Sequence, residues 1–561
     1  SRSPKSIREA VVSGSFKARD RKFRSDADQV TYEKMSIKYD EARPGYVAKI
    51  PWRDDSNSPK LADNREQVLS RQERVFSEAY MKKKGVTLDE MWTIISGYLQ
   101  KGYIWELSKG DLRRDAWYLP MFPVVDRTRA TTKVRLVFDA AAKFRGKSLN
   151  SEQCTGPNML VNFLQILFRF RRYRYAFLCD IAEMFLRIFM EKSDQRFHRF
   201  VFKHPERGFL DFEWLTTIFG GTSIPNISQK TLHCLVEDFG SEFPEASMLL
   251  LLSTYMDDAA DSFEQEDTAL KAFLELKQLL AKASMVPRKV LSNSKKLLAT
   301  LPPEDHAREV ELSGSDLSLK DSKLLGVYWS PEKDCFFVKA GPTPGGKFSR
   351  RKVMTKSDGS TLWNKRQVLS VLFKVFDPLG LLAPYTVRGK ILLQRLCISK
   401  ASWDEEIPWE YQQIWMDWLD CLEDVHMIKL ERHVGLGADV DYQIHCFADA
   451  SLEAYAVVFY LRTEHAGSVQ TSFLFAKSKV TPMKAVSVAR LELMACQLAA
   501  ETSISVKQYL DLHKKVRFWT DSRDCLFWLN QPSKIYKPFV ANRAGVVQAL
   551  TDVSLWRYVR S

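Results

Sequence analysis

The sequence predicts a multidomain protein of mixed α/β and α+β class. Three observations lead to this prediction. With 561 residues the chain is too long for one hydrophobic core, and its length favours roughly three or four subdomains. Apolar runs of strand length alternate with helical patterns from about residue 108 to 300. A second ordered series of strand, helix and strand occupies the region from 445 to 521.

The N-terminal region is predicted to be a lead-in to the first of these folded parts. Residues 1 to about 30 are charged and contain few large apolar side chains, which is typical of a mobile segment. A helical pattern follows over 64–100. Clusters of Ser, Gly and Asp farther along, at 313–316 and 356–360, predict loops.

Asp180 is the first candidate catalytic residue along the chain. It follows a mostly apolar strand pattern over 175–179, and an amphipathic segment comes after it. A single aspartate after a strand is more often a helix cap than a catalytic group. Asp180 therefore becomes a catalytic candidate only in combination with a second acidic motif.

That second motif is the pair Asp257 and Asp258. The apolar run 248–254 before the pair and the apolar residues after it predict a β-hairpin whose turn carries the carboxylates. Adjacent carboxylates repel each other unless a cation lies between them, and Mg²⁺ binds such groups together with substrate phosphates. The motif indicates phosphoryl or nucleotidyl transfer, with an ordinary Asp-Asp turn as the alternative.

Three further acids occur in an ordered series near the C-terminus. Asp449 lies in an alternating strand pattern, Glu492 lies near the start of a helical segment, and Asp521 follows the apolar strand 516–520. Each acid alone is weak evidence, since a glutamate on a helix usually faces solvent. The order of strand acid, helix acid and strand acid resembles the ribonuclease H fold, in which carboxylates hold two Mg²⁺ ions for hydrolysis of the RNA strand of a hybrid.

The remaining motifs resemble one family. The spacing of Asp180, Ile181 and Phe185, combined with YMDD at 255–258, resembles the palm motifs of the reverse transcriptases. More of the chain resembles the Pol polyprotein of BEL/Pao-type LTR retrotransposons, and FDPLGLLAP at 376–384 is its most branch-specific string. Other matching strings lie at 133–140, 146–150, 156–157, 219–225 and 324–329. The resemblance extends from about residue 35 to the C-terminus.

The resemblance implies an architecture and a function. The architecture would be a right-hand polymerase with fingers, palm, thumb and connection, followed by a ribonuclease H-like α/β domain. Its parts would be the lead-in 1–107, fingers and palm 108–300, thumb and connection 301–438, and the ribonuclease H-like domain 439–561. The function would be an RNA-directed DNA polymerase of a retrotransposon that extends a primer with dNTPs by two-metal catalysis and degrades RNA in RNA–DNA hybrids.

The resemblance also implies a set of metal ligands. Each active site would hold two Mg²⁺ ions, which Mn²⁺ could replace. Carboxylates of both sites would serve as catalytic groups and metal ligands: Asp180, Asp257, Asp258, Asp449, Glu492 and Asp521. In the polymerase site, Ile181 would add its backbone carbonyl.

A second set of residues is implied to contact substrate: Lys133, Arg135, Phe185, Phe219, Gly220, Tyr255, Met256 and Gly326. Lys133 and Arg135 would bind the triphosphate, because an ammonium and a guanidinium fork suit phosphate oxygens. Phe185 would exclude a ribose 2′-hydroxyl by steric clash. The alternatives are an exposed basic strand face for the two cations and an ordinary core position for Phe185.

One departure from the family concerns a fourth ribonuclease H acid, which follows a Trp-x-x-Val sequence. Here that sequence starts at Trp556, the chain ends at Ser561 without the acid, and Asp552 precedes the tryptophan and is a poor substitute. The chain is therefore expected to be part of a larger polyprotein. Two other functions stay open: a domesticated, catalytically silent nucleic-acid-binding protein, and an RNA-dependent RNA polymerase, against which Phe185 and the C-terminal domain argue.

The amino-acid composition indicates which partners the protein binds and in which cell compartment it acts. A net charge of +14 and a pI near 9.1 favour a nucleic-acid partner. The expected partners are an RNA template, a DNA primer, the RNA–DNA hybrid, dNTPs and other parts of the Pol and Gag polyproteins. Nine cysteines without a CxxC pair argue against a disulfide framework and a zinc site. With no run near the roughly 20 apolar residues of a membrane span, we expect an intracellular protein of cytoplasmic particles or the nucleus, neither secreted nor membrane-bound.

Overall fold

The structure is a computed structural model. It describes residues 3–19, 21–54, 58–112, 115–127, 133–306, 323–324, 326–337, 354–355, 361–400, 402–422 and 424–560. The loops predicted at 313–316 and 356–360, and residue 325 of the string at 324–329, lie outside these ranges. Within them, no helix has the length and hydropathy needed to cross a membrane.

The chain forms two compact units, each assembled from three segments. The first contains Ser1–Val161, Cys179–Ala259 and Lys271–Arg288, and the second contains Asn162–Leu178, Ala260–Leu270 and Lys289–Ser561. The domain boundaries expected from the sequence stay predictions.

The first unit combines helices with short sheets. Its helices are Pro4–Val12, Asp26–Lys34, Arg65–Val75, Glu78–Lys84, Leu88–Gln100, Leu149–Glu152, Lys192–Gln195, Ile224–Phe239 and Pro244–Leu252. Its strands are Ile37–Asp40, Gly45–Ala48, Ile104–Glu106, Met121–Val125, Val134–Phe138, Ile188–Met190, Arg199–His204, Gly208–Trp214 and Thr254–Tyr255. Three elements pair as one sheet in the order Ile37–Asp40, Gly45–Ala48, Ile188–Met190. A second sheet has the order Ile104–Glu106, Gly208–Trp214, Arg199–His204.

The start of the chain is more regular than its composition suggests. The region expected to be mobile contains the helices Pro4–Val12 and Asp26–Lys34, capped by the hydroxyls of Ser3 and Ser25. Tyr32 is fully buried, and its backbone carbonyl accepts a hydrogen bond from Nζ of Lys230 at 2.7 Å. Helix caps and a buried aromatic side chain thus give regular structure to a segment whose average composition is polar.

The hairpin that carries the acidic pair belongs to a four-stranded sheet. Its strand order is Thr254–Tyr255, Asp258–Phe263, Tyr175–Ile181, Pro287–Ser292. The helix Glu266–Ala281 lies between the second and fourth of these in sequence. The hairpin is confirmed, but most of the apolar run before it is helical, ending the helix Pro244–Leu252. Pro244 in the first turn favours a helix there, and the leucines of this helix are buried.

The second unit contains one large sheet and several helices. Its helices are Phe163–Arg172, Lys295–Leu298, Lys365–Leu372, Ala383–Ile398, Trp409–Asp420, Val488–Leu510, Arg523–Leu529 and Pro538–Leu550. Its strands are Lys323–Leu324, Val327–Ser330, Cys335–Phe337, Met354–Thr355, Thr361–Leu362, Lys429–Glu431, Asp441–Ala450, Ala454–His465, Ser468–Val480, Val516–Thr520 and Trp556–Tyr558.

The large sheet has five strands, in the order Ser468–Val480, Ala454–His465, Asp441–Ala450, Val516–Thr520, Trp556–Tyr558. Each of the first two strands is antiparallel to the next strand in this order, and the last two strands run parallel to Asp441–Ala450. The long helix Val488–Leu510 packs its buried apolar face, including Leu493 and Cys496, into the core that this sheet forms. Val434 and Leu436 are part of the same core, although they precede the predicted start of the domain at 439.

A second core in this unit is rich in tryptophan. Trp415 and Trp418 stack with their ring centroids 4.8 Å apart, and they pack with Val368, Leu392 and neighbouring residues of three helices. The string at 376–384 leads into the helix Ala383–Ile398. Its Gly380 has a φ of +76°, and a Cβ there would lie 1.9 Å from the carbonyl oxygen of Ala476. Only glycine permits this close approach of the string to the large sheet.

Candidate active sites

The parallel pairing of two strands brings Asp449 and Asp521 to the same edge of the large sheet. Phe447 of one strand lies opposite Trp519 of the other. Asp449 and Asp521 each follow two residues later, so they occupy equivalent positions where both strands end.

Glu492 completes the group from the helix that covers the sheet. One ligand oxygen each from Asp449, Glu492 and Asp521 lies within 4.8 Å of the others. A search of the described residues for three or more potential metal ligands at such short mutual distances finds this group. Asp449 is exposed, Asp521 is half-buried and Glu492 is buried. Buried Glu492 thus holds one side of the group in place, and exposed Asp449 leaves the other side open to solvent.

The electrostatics of this group favour a bound cation. Burial, followed by the negative charges of Asp449 and Asp521, raises the pKa of Glu492 to about 7, against the opposite effect of a hydrogen bond from the amide of Ala450. The Oε2 atom of Glu492 is buried and has no hydrogen-bond partner. A buried carboxylate oxygen without a donor, beside two other acids, is a costly arrangement that a divalent cation would relieve. The residues present therefore fit Mg²⁺ or Mn²⁺.

Asp552 takes no part in this group. Its carboxylate accepts hydrogen bonds from Ser554 and from Nζ of Lys515, the latter at 2.9 Å. The Ser554 hydroxyl, followed by Lys515, lowers the pKa of Asp552 to about 2. It caps a short helical turn before the strand Trp556–Tyr558. This agrees with the prediction that Asp552 is a poor substitute for a fourth acid.

The second acidic site is built around the hairpin turn. Tyr255 pairs with Asp258, which leaves Met256 and Asp257 as the turn. Met256 has a φ of 55°, a left-handed conformation that costs a non-glycine residue about 1–3 kcal/mol and is often found at functional sites. The turn places two successive carboxylates at the tip of the hairpin.

Backbone contacts hold this turn against the strand that bears Asp180. The amide of Ile181 donates a hydrogen bond of 2.7 Å to the carbonyl oxygen of Asp257. Asp180 is half-exposed within a strand whose neighbouring residues are buried. Beside it, burial raises the pKa of the Cys179 thiol, and the charges of Asp180 and Asp258 raise it further. Asp180 and Asp258 therefore both lie near this buried thiol.

Gln229, to which the sequence assigned no role, supports the same turn. It is 1% exposed on the helix Ile224–Phe239, and its Nε2 donates to the carbonyl oxygen of Met256 at 3.3 Å. The helix carries several buried polar side chains, so the local pattern gave no signal that Gln229 in particular supports the turn.

The predicted substrate-contacting residues of the first unit occupy exposed or half-exposed positions. Lys133 and Arg135 are exposed, and the strand Val134–Phe138 buries its other face. The rings of Phe185 and Phe219 meet edge to face with centroids 5.0 Å apart. Phe219 is 53% exposed, so this pair forms part of the surface rather than the core.

Two glycines of the predicted set have backbone conformations that favour glycine. Gly220 has a φ of +97°, and its carbonyl oxygen accepts a hydrogen bond of 3.0 Å from Asn150. Gly326, in the second unit, has a φ of +93°, and a Cβ there would lie 2.6 Å from the ring of Phe376. Both positions are therefore restricted by local structure, and their contacts with substrate stay predictions.

Comparisons with known proteins agree with this geometry. Residues 364–522, which include all three acids of the large sheet, match the family described as Pao retrotransposon-like RNaseH-like domain. A solved structure similar to this chain is that of the foamy viral protease-reverse transcriptase dRH in complex with double-stranded DNA. The similarity has 14% sequence identity and a TM-score of 0.50, and it covers 84% of this chain and 69% of that chain, so it concerns the fold. A search of curated proteins found no match.

These findings confirm the resemblance seen in the motifs. The described structure is of mixed α/β class and has more than one domain, with a fold similar to that of a reverse transcriptase. The matched family and the shared fold together support a Pao-type retrotransposon Pol protein.

Proposed function

We propose that this chain is an RNA-directed DNA polymerase with an attached ribonuclease H. The polymerase site extends a primer with dNTPs on an RNA template, and the second site hydrolyses the RNA strand of an RNA–DNA hybrid. The observation that carries the proposal is the convergence of Asp449, Glu492 and Asp521 within 4.8 Å at one sheet edge. It lies inside the segment that matches the RNaseH-like family.

The buried and the more exposed acids of the ribonuclease H site have different roles. Glu492, held by the helix and the amide of Ala450, fixes one side of the site. Asp449 and Asp521 present their carboxylates at the accessible edge, where a phosphodiester can approach. Bound Mg²⁺ or Mn²⁺ would supply the positive charge that stabilises the attacked phosphate. Three clustered carboxylates have no such use in a protein that only binds nucleic acid.

The polymerase site rests on the hairpin geometry. Asp180, Asp257 and Asp258 would hold metal through their carboxylates, with the carbonyl of Ile181 beside them. The hydrogen bond from the Ile181 amide to Asp257 fixes the strand and the turn to each other. Lys133 and Arg135, on an exposed strand face, are the cations that would bind the triphosphate. Phe185, which is half-buried beside the exposed ring of Phe219, would select deoxynucleotides through its ring.

The proposed partners are an RNA template, a DNA primer, dNTPs and further parts of the polyprotein. The net charge of +14 supports a polyanionic partner. The similar foamy viral protein was solved with double-stranded DNA, which supports nucleic-acid binding by a related fold.

Two assays on the full chain test the proposal. The first follows cleavage of labelled RNA in an RNA–DNA hybrid, and the second follows primer extension on poly(rA) with Mg²⁺ or Mn²⁺. We expect Asp449→Asn to abolish cleavage and leave extension unchanged, because its carboxylate belongs to one site only. Asp257→Asn should abolish extension and leave cleavage unchanged.

The two variants serve as controls for each other, since each must bind hybrid as tightly as the unsubstituted chain. Binding of hybrid without cleavage or extension would overturn the proposal in favour of a catalytically silent binding protein. Extension with ribonucleotides as efficient as with deoxynucleotides would instead favour an RNA polymerase.

A further inference from the structure

The first unit contains a basic cavity that none of the residues discussed above lines. Its volume is about 510 Å³, and it is lined by Gln67, Ser70, Arg71, Arg74, Ala142 and Lys143. Three of these six residues are cations and none is acidic. The cavity is called the basic cavity below.

One face of a firmly anchored helix forms most of the basic cavity. The four lining residues of the helix Arg65–Val75 are spaced at i, i+3, i+4 and i+7, which places them on one face. Another face is buried: Val68 packs in a small apolar cluster, and Gln72 donates a hydrogen bond of 3.1 Å to the carbonyl oxygen of Met121. The helix therefore holds its cationic face in a fixed orientation.

The cations of the basic cavity have no ionic partners within the described part of the chain. No ion pair or side-chain hydrogen bond involves Arg71, Arg74 or Lys143, and both Arg74 and Lys143 are exposed. Other arginines of the same unit are paired: Arg65 binds Asp211 at 2.7 Å and Arg207 binds Glu106 at 2.7 Å. Three adjacent cations without counterions make this a strongly positive surface that a polyanion would neutralise.

We propose that the basic cavity binds consecutive backbone phosphates of a nucleic-acid strand. Two guanidinium forks and one ammonium are the groups that proteins use for phosphate oxygens, and serine and glutamine side chains supply further donors. The volume accommodates more than one phosphate group together with its solvent. The inference rests on the proposed function only in taking nucleic acid as the partner.

Salt-dependent binding tests this inference without catalysis. A fluorescent RNA template annealed to a DNA primer is titrated with the full chain in EDTA and without dNTPs, over a range of NaCl concentrations. Each phosphate contact contributes about 0.7–0.9 to the slope of log K against log salt. We expect the triple variant R71A/R74A/K143A to reduce the magnitude of that slope by about 2, and R74A alone by about 1.

The matched control removes the same charge elsewhere on the same unit. Lys5, Lys22 and Lys38 are exposed, and none of them lines the basic cavity. The variant K5A/K22A/K38A should therefore leave the slope within about 0.5 of that of the unsubstituted chain. Equal thermal unfolding of both triple variants shows that folding is unchanged. The inference is overturned if the two triple variants have equal slopes. It is also overturned if R71A/R74A/K143A binds inorganic phosphate more weakly than the unsubstituted chain does but binds the nucleic acid with an unchanged slope.

The outcome is independent of the proposed enzymatic activity. A chain that neither extends primers nor cleaves RNA can still show the reduced slope, and an active chain can fail to show it.

Discussion

Replacement of Arg432 tests which interactions hold the second unit together. Its side chain is completely buried, and its Nε and Nη2 donate to the two carboxylate oxygens of Asp334 at 2.6 and 2.8 Å. Nη1 donates to the carbonyl oxygens of Phe170 and Tyr173 at 2.6 and 2.8 Å. Those carbonyls lie at the end of the helix Phe163–Arg172 and just beyond it. One guanidinium thus satisfies a carboxylate and a helix terminus together.

The structure allows a rough magnitude for Arg432→Met. The substitution fills similar volume but removes the Arg432 donors from the carboxylate of Asp334 and from the two carbonyls. Oδ1 of Asp334 keeps one donor, the indole N–H of Trp329 at 3.0 Å. Removing one partner of a buried ion pair costs about 3–5 kcal/mol, and each buried carbonyl left without a donor adds to that cost. Because Asp334 keeps some exposure, we expect a total near the lower end, about 3–4 kcal/mol.

Urea unfolding of the full chain, followed by tryptophan fluorescence, measures this loss. Trp329 is a local reporter, since its ring lies 5.9 Å from the Arg432 guanidinium carbon. At a urea dependence of about 2–3 kcal/mol per molar, the midpoint should fall by roughly 1 M or more. Arg366→Met is the matched control: its ion pair with Asp404 is 62% and 69% exposed, so its loss should cost less than about 1 kcal/mol. Equal midpoint shifts for the two variants would refute the reasoning.

Three further predictions concern the active sites. Without metal, Glu492 has a pKa of about 7 in the folded chain against 4.5 in the unfolded chain. The free energy of unfolding should therefore fall by about 1–2 kcal/mol as the pH rises from 4.5 to 7, after allowance for screening by solvent. Glu492→Gln should abolish this fall when thermal unfolding is measured in EDTA. Phe185→Ala should admit ribonucleotides in primer extension, because the ring proposed to clash with a 2′-hydroxyl is removed. Gln229→Leu should slow primer extension by about 5- to 30-fold through loss of its hydrogen bond to the hairpin, with RNA cleavage unchanged.

Each of these predictions has a contrary result. A pH profile of Glu492→Gln identical to that of the unsubstituted chain would show that the glutamate is not responsible for the fall. Continued exclusion of ribonucleotides by Phe185→Ala would remove that ring from sugar selection. Equal losses of extension and cleavage in Gln229→Leu would indicate general unfolding rather than a loosened turn.

The elements that bear the acids could be predicted from local pattern. The strand 516–520 has the predicted bounds, and Glu492 lies near the start of its helix as expected. Alternating apolar residues and a helical apolar period are properties of short sequence windows, so strands and helices can be predicted from them without knowledge of the rest of the chain. The hairpin was predicted for the same reason. The continuous leucine run before it has no period that separates a strand from a buried helix, and the structure makes it a helix.

Contacts between distant segments could not be predicted in this way. Arg171 lies in the basic, aromatic stretch 168–175, whose local pattern fits a phosphate-binding surface and an amphipathic helix equally well. It is on a helix but almost fully buried, and it donates to the carbonyl oxygens of Phe473 and Leu474 at 2.6 and 2.9 Å. Its partners lie about 300 positions away in the sequence. Nothing in the local pattern distinguishes such a buried arginine from one that faces nucleic acid.

The most direct test of the central claim is a crystal of the full chain soaked in MnCl₂ and measured at the manganese absorption edge. We predict an anomalous peak in contact with carboxylate oxygens of Asp449, Glu492 and Asp521, and its loss in Asp449→Asn. A saturating soak that leaves this sheet edge without a peak, while manganese binds elsewhere, would contradict the account.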